Sequence, residues 1–305
     1  MVTTIACVAC LDETRSVHAV TFKRAVASYR AWHSRYGSRE VELRVYHDNA
    51  NAEGARKAAA AIVADDVDAV VGHFASAAAE AAAPLYAETG IPLFLPAATA
   101  SHLTQRATTY RICDNDQDYV AFLRRFCDEQ GYALVEIAHD GTLHGHSVTQ
   151  DLYSTQPRGS QRPAVLFSGS CAHSVAFLRK LGAADLRTVL LTDDAVSSHI
   201  LAAAAERVGE VLVVGLSPQP SGPVADWIAE RHLEVYGEAP GSYFWETVAA
   251  IEVAVASAAQ DPMRGSWSTV IGTIQFDAAR EARPHAFAVY RASSDGLVRL
   301  MEISK

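Results

Sequence analysis

The chain has 305 residues, 50% of them hydrophobic and 20% charged, with a formal net charge of −9. That length exceeds one ordinary core and implies two domains of about 150 residues each. The acidic balance, with no concentration of Lys and Arg, excludes nucleic acid as a partner. No apolar stretch nears the ~20 residues needed to cross a bilayer, so no membrane span is expected. The start, MVTTIACVACLDE, lacks a basic segment and a long apolar run and reads as a first strand. The chain is thus cytoplasmic as written, or periplasmic with an export signal removed beforehand.

Strands and helices alternate from that first strand. TTIACVACL leads to the amphipathic helix SVHAVTFKRAVASYRAWHSRYG, then strand VELRVYHD and helix AEGARKAAAAIVAD, which Asn51 or Asn49 would cap. DAVVGHF, a helix opening at Ser76, and IPLFLPAA continue the series. Repeated βαβ units imply a parallel sheet covered on both faces, with ligands at the carboxyl ends of its strands. The series ends near Tyr110-Arg111-Ile112-Cys113. A second begins with helix DYVAFLRRFCDEQG, followed by strand ALVEIAHD, a helix around SVTQDLYS, strand AVLFSG, helix SVAFLRKLG and strand TVLLTDD. Helix SSHILAAAAERVG and strand EVLVVGLS complete it. Two helices follow SPQPSGP, and the last stretch is strand-rich with a turn at Ser294-Asp295-Gly296. The fold class is therefore α/β, with two doubly wound parallel-sheet lobes and a cleft between them.

The chemistry is sparse. There is no phosphate-cradling glycine motif. Gly145-His146-Ser147-Val148-Thr149 lacks the second glycine of a nucleophile elbow. His139, Asp140, His144 and His146 cluster after a strand, yet their spacing fits no zinc pattern, and they read better as surface or cleft-lining groups. No catalytic residue, metal or cofactor is assigned. The five cysteines have no framework spacing, and Cys7 and Cys10 would point to opposite faces of a strand, so they read as buried thiols. Ser76 reads as an N-cap whose helix turns its unpaired N–H groups toward an anion; a plain cap with no ligand is the competing reading. Thr99 lies in PAATAS, where it binds or merely closes a turn. Asp193 and Asp194 end the strand TVLLT, positioned for a ligand or for capping the next helix.

Several segments together resemble a known family: VYHDNANAEGARKAAAAIVADDVDAVVGHFASAAAEAAAPLYAETGIPLFLPAATASHLTQRA, the Tyr110-Arg111-Ile112-Cys113 junction, GSYFWETVAAIEVA and TVIGTIQFDAAREA. They are similar to the type I periplasmic solute-binding proteins of branched-chain amino-acid ABC transporters, the leucine/isoleucine/valine-binding group. The resemblance implies two lobes, residues 1–115 with 219–280 and 116–218 with 281–305, joined by three crossovers and closing on an amino acid without catalysis. It places the carboxylate-binding serine on Ser76, its partners on Ala97 (through the backbone) and Thr99, and the acid for the ammonium on Asp194. His144 stands where the family has a tyrosine, Ser170 or Cys171 where it has a second aromatic, and Val17, in a loop, near a third. Ala50 and Ala75 replace the cysteines of a disulfide found in some members. About one strand and one helix are missing between Gln150 and Pro163, trimming the second lobe. The partners implied are a small amino-acid-like ligand and an ABC permease. Two further readings remain: a cytoplasmic sensor acting on a regulatory partner, and an enzyme using His144 or His146 as a base near Asp194.

Overall fold

The computed structural model describes residues 2–13, 17–282, 286–294 and 296–303. Strand β1 (Thr3–Ala9) is followed by α1 (Val17–Tyr36), β2 (Val41–His47), α2 (Ala52–Ala64), β3 (Ala69–Gly72), α3 (Ser76–Thr89), β4 (Leu93–Leu95) and β5 (Thr109–Arg111). Next come α4 (Asp116–Gln130), β6 (Tyr132–His139), α5 (Leu143–Thr149), β7 (Arg162–Ser168), α6 (Cys171–Leu181), β8 (Thr188–Leu191), α7 (Leu201–Ala205) and β9 (Val211–Ser217). Helices α8 (Pro223–Tyr236) and α9 (Phe244–Ser257) precede the short strands β10 (Trp267–Thr269) and β11 (Gly272–Ile274), and the chain finishes with β12 (Ala286–Ser293) and β13 (Gly296–Ile303).

The chain divides into two compact units, Met1–Asp114 with Pro218–Pro284 and Asn115–Ser217 with His285–Lys305. The first carries a five-stranded sheet in the order β2-β1-β3-β4-β5, every pair parallel. Its core strands read as uninterrupted apolar runs because both faces are covered: β3 and β4 are buried at every position. Alanines make the covering layer thin. Ala78, Ala79, Ala82 and Ala83 of α3 and Ala55 and Ala59 of α2 are all fully buried, packed with Ile62, Tyr86 and Leu93. Asn51 caps α2, its side chain accepting from the Gly54 N–H at 2.9 Å.

The second unit holds a six-stranded sheet in the order β13-β12-β9-β8-β7-β6. Strands β6 to β9 are parallel, but β12 runs antiparallel to β9 and β13 antiparallel to β12. The sheet is thus mixed, not purely parallel as expected. A terminal hairpin can extend an edge without the crossover helix that a parallel strand requires. Its core gathers Phe122, Leu123, Leu166, Leu190, Val214 and Phe287.

Three local readings change. The helix expected around SVTQDLYS begins and ends earlier, at Leu143–Thr149, because Thr142 supplies the cap by accepting from the Gly145 N–H. Val17 starts α1 instead of lying in a loop. Ser76 is the first residue of α3, and Ala75 occupies the cap position without a side-chain bond. Of the turn Ser294-Asp295-Gly296, Asp295 lies outside the described residues; Ser293 and Gly296 pair across the hairpin. All five cysteines are buried and unbridged, and burial pushes the Cys7 thiol up to about 12.

Candidate functional site

In the first unit the carboxyl ends of β3 and β4 bring Ser76 to the turn that follows β4. Strand β3 stops at Gly72, whose φ is +130° and whose missing side chain would otherwise sit 1.9 Å from the Val8 carbonyl oxygen. Only glycine tolerates that backbone at that distance. The chain then runs through His73 and Phe74 into α3. Ser76 is 7% exposed, and its hydroxyl accepts a hydrogen bond from the Ala100 N–H at 3.3 Å. Freed from capping, the hydroxyl links the start of α3 to the 97–100 turn. Ala97 and Thr99 are buried to the same degree. Ser76, Ala97 and Thr99 therefore share one small region, where hydroxyls and amides could receive an anion beside the amino end of a 14-residue helix.

Two buried polar assemblies hold that region. On one side His73 lies with its Nδ1 2.7 Å from Asp48 Oδ2 and its Nε2 3.2 Å from the Tyr86 hydroxyl. Asp48 also accepts from the Ala50 N–H at 2.9 Å, so the β2–α2 connection is tied to the segment entering α3. These are the segments that Ala50 and Ala75 leave without a disulfide. On the other side Arg111 is fully buried and bonded to Glu281, Ala98 and Ala100.

Aromatic rings cluster next to this region within the same unit. His18 lies 5.5 Å from Tyr243 and 6.2 Å from Phe74, and Phe22 packs edge-on to Phe74 at 5.3 Å. Tyr243 adopts φ +64° just before α9, a conformation uncommon outside glycine. Sequence reasoning missed these rings. The nearest signal was the family aromatic expected near Val17, one residue before His18; the side chain of Val17 itself lies outside the described residues.

In the second unit His144 sits between two buried carboxylates. Its Nδ1–H donates to Asp116 Oδ1 at 3.1 Å and its Nε2–H to Asp193 Oδ1 at 3.2 Å. Burial disfavours charge on the ring, but Asp193 and Asp116, bonded one to each nitrogen, raise its pKa well above the ordinary imidazole range. Asp116 and Asp193 are 1% and 3% exposed, whereas Asp194 is half-buried. The adjacent acids thus differ. Asp193 turns inward to His144 at the start of a 3₁₀ turn, and Asp194 follows it in the same turn. Thr192, not Asp193, occupies the cap position. Asp116 comes from α4, 28 residues from its partner, and no spacing in the sequence announced it.

Ser170 caps α6. Its hydroxyl accepts from the His173 N–H and lies 2.8 Å from His173 Nδ1. Its N–H donates to Asp140 Oδ2 at 2.9 Å. Burial favours the neutral form of Asp140, but donors from Thr142 and Ser170 outweigh it and hold the carboxyl below its usual range. Asp140 fastens the β6–α5 and β7–α6 connections together, and Gly169 has no room for a side chain because a Cβ there would meet the Asp140 carboxyl at 2.6 Å. The rings of His139 and His146 lie 4.2 Å apart, tilted by 44° to one another. Among the described residues, no group of three His, Cys, Asp or Glu is placed to hold a metal ion. None of their helices is long and apolar enough to cross a membrane.

Residues 9–153 match the family model described as periplasmic binding protein. A Leu/Ile/Val-binding protein of Citrobacter freundii is 23% identical over 319 residues, covering 90% of this chain and 85% of that protein. A leucine binding protein from Thermotoga maritima superposes with a TM-score of 0.79 at 19% identity, covering 99% of both chains. A solute binding protein of an ABC transporter from Rhodopseudomonas palustris HaA2, in complex with p-hydroxybenzoic acid, superposes with a TM-score of 0.74 at 14% identity, covering 100% of this chain and 96% of the other. The fold is that of the type I periplasmic binding proteins, and the resemblance to their leucine/isoleucine/valine-binding group holds across most of the chain.

Proposed function

From its kinship with the Leu/Ile/Val-binding proteins, we propose that this protein binds a small organic carboxylate, an amino acid first among them, and delivers it to an ABC permease without chemical change. The observation that supports the reading is the meeting of the Ser76 hydroxyl with the 97–100 turn at the carboxyl ends of β3 and β4. A carboxylate held there would take charge-assisted hydrogen bonds from a hydroxyl and backbone amides and lie in the field of the α3 amino terminus. Leucine and p-hydroxybenzoic acid, the ligands named for relatives, share only that carboxylate. Asp194 is the proposed partner of the ligand's ammonium, with His144 and Ser170 as further proposed contacts from the second unit.

The departures from the family bear on the rest of the ligand. His144 in place of a tyrosine brings a charged ring whose two nitrogens are already engaged by Asp116 and Asp193. Ser170 in place of an aromatic adds polarity. The proposed ligand is therefore more polar than leucine at its far end. Calorimetry on ligand-stripped protein, with the proteinogenic amino acids and p-hydroxybenzoate as titrants, tests the reading. Binding of at least one amino acid, with no turnover on prolonged incubation, is expected. Absence of heat from the whole panel would overturn the amino-acid assignment.

A further inference from the structure

We infer that Arg111 is a positioning residue for the anion-receiving turn: its buried guanidinium fixes the direction in which the Thr99 amide points and ties that turn to the two chain segments leading out of the first unit. The inference rests on the proposed role of the 97–100 turn, and its first test is independent of any ligand.

Arg111 closes the short strand β5 and is fully buried. Its Nε–H donates to both oxygens of Glu281, at 3.2 and 3.0 Å. Nη1 donates to the Ala98 carbonyl, and Nη2 to the Ala100 carbonyl at 2.8 Å. Glu281 is itself secured by the Thr104 hydroxyl at 2.9 Å. The guanidinium is a rigid planar fork, so three acceptors are fixed relative to one another by one side chain.

The consequence follows from peptide geometry. In a trans peptide the carbonyl of one residue and the N–H of the next point in opposite directions. Drawing the Ala98 carbonyl toward Arg111 therefore turns the Thr99 N–H to the opposite side, and drawing in the Ala100 carbonyl does the same for Ser101. Lysine's three donors share a single nitrogen on a flexible stem, so it lacks the fixed spacing with which the fork holds the two carbonyls and the carboxylate. Because Glu281 balances its charge, Arg111 orients the amide without itself competing for an anion.

The same residue is joined to the ends of its unit. Arg111 N donates to the Arg280 carbonyl and the Ala282 N–H to the Arg111 carbonyl, both at 2.9 Å, forming an isolated parallel bridge with Glu281. The chain passes to the second unit after Asp114 and again after Pro284, three residues beyond Arg111 and Glu281 respectively. One ion pair thus couples the turn to both segments leading out of the unit.

Amide hydrogen exchange on the ligand-free full chain tests this, with the double variant R111M/E281M and the single variant R111K. Exchanging both buried charges for methionine keeps volume and avoids leaving one charge unpaired. Exchange over residues 97–104 is expected to accelerate about tenfold in R111M/E281M and severalfold in R111K, a loss of one or two hydrogen bonds. Strand β3 should keep its protection in both. Parental exchange over 97–104 in R111K, or in a folded R111M/E281M, would overturn the inference. Isothermal titration with the proteinogenic amino acids then separates positioning from stability: the double variant should melt near the parent and bind any amino acid that the parent binds at least about tenfold more weakly. Equal affinity in parent and double variant would also overturn it. Silence of the parent toward every proteinogenic amino acid, with accelerated exchange in the variants, would count against the proposed ligand and leave the clamp standing.

Discussion

Replacing His144 with alanine gives a sharp test of the second-unit site. The substitution removes the cation between Asp116 and Asp193, whose side chains are only 2% and 4% exposed; His144 itself is 15% exposed. Deleting one partner of a buried ion pair costs about 3–5 kcal/mol, because the remaining charge stays desolvated. In the parent, the imidazole pKa is raised on folding, so its contribution is complete below its unfolded value near ~6.5 and is lost only as pH rises through the higher folded value. In the variant, two unneutralised carboxylates repel each other and would bind protons more readily folded than unfolded, so its stability rises on acidification. The difference between parent and variant should therefore be largest near neutrality and shrink toward about pH 5. All four tryptophans (Trp32, Trp227, Trp245 and Trp267) belong to the first unit. Urea unfolding followed by tryptophan fluorescence reports that unit, whereas circular dichroism reports both. A loss confined to the circular-dichroism transition is expected. A cost at pH 7 below about 1 kcal/mol, or a difference that does not change with pH, would refute the reasoning.

Other substitutions probe the rest of the molecule. Glu246 in α9 is fully buried, and that burial, with Asp114 nearby, outweighs a bond from its own backbone N–H and pushes its pKa up to about 8. Because the folded form then holds a proton that the unfolded form releases, parental stability should fall between roughly pH 4.5 and pH 8. Glu246→Gln should flatten that slope in fluorescence-monitored urea melts at several pH values. Gly72→Ala forces a Cβ against the Val8 carbonyl at φ +130° and should cost more than about 3 kcal/mol in the same fluorescence transition. For an amino acid that binds the parent, Ser76→Ala should weaken calorimetric affinity by about 1.5–3 kcal/mol, and Asp194→Ala by about 2–5 kcal/mol. Parental affinity in both would move the site elsewhere.

The candidate site was partly legible for reasons that differ by residue. The pairing of Ser76 with Thr99 came from the family resemblance, and its physical basis is that the two segments follow the neighbouring parallel strands β3 and β4, whose carboxyl ends share one edge of the sheet. The reading of Ser76 as a cap failed because propensity favours serine at the cap position without saying which of Ala75 and Ser76 begins the helical turns. Of the two adjacent acids, which one turns toward His144 is set by the 3₁₀ turn at Asp193–Ala195, and no composition rule separates them. The ring cluster of His18, Phe74 and Tyr243 joins residues from three distant parts of the chain, so no local pattern could expose it.

By itself, the sequence determined the alternation of strand and helix, the buried parallel character of the first sheet and the strand ends at which ligand contacts are sought. These depend on hydrophobic period, glycine stops and helix propensity, which act over a few residues. Only the tertiary structure decided that β12 and β13 extend the second sheet antiparallel, that His144 is clamped by acids 28 and 49 residues away, and that Arg111 reaches Glu281 170 residues later. Each of those depends on which side chains lose water together, and burial brings together groups that the order along the chain keeps apart.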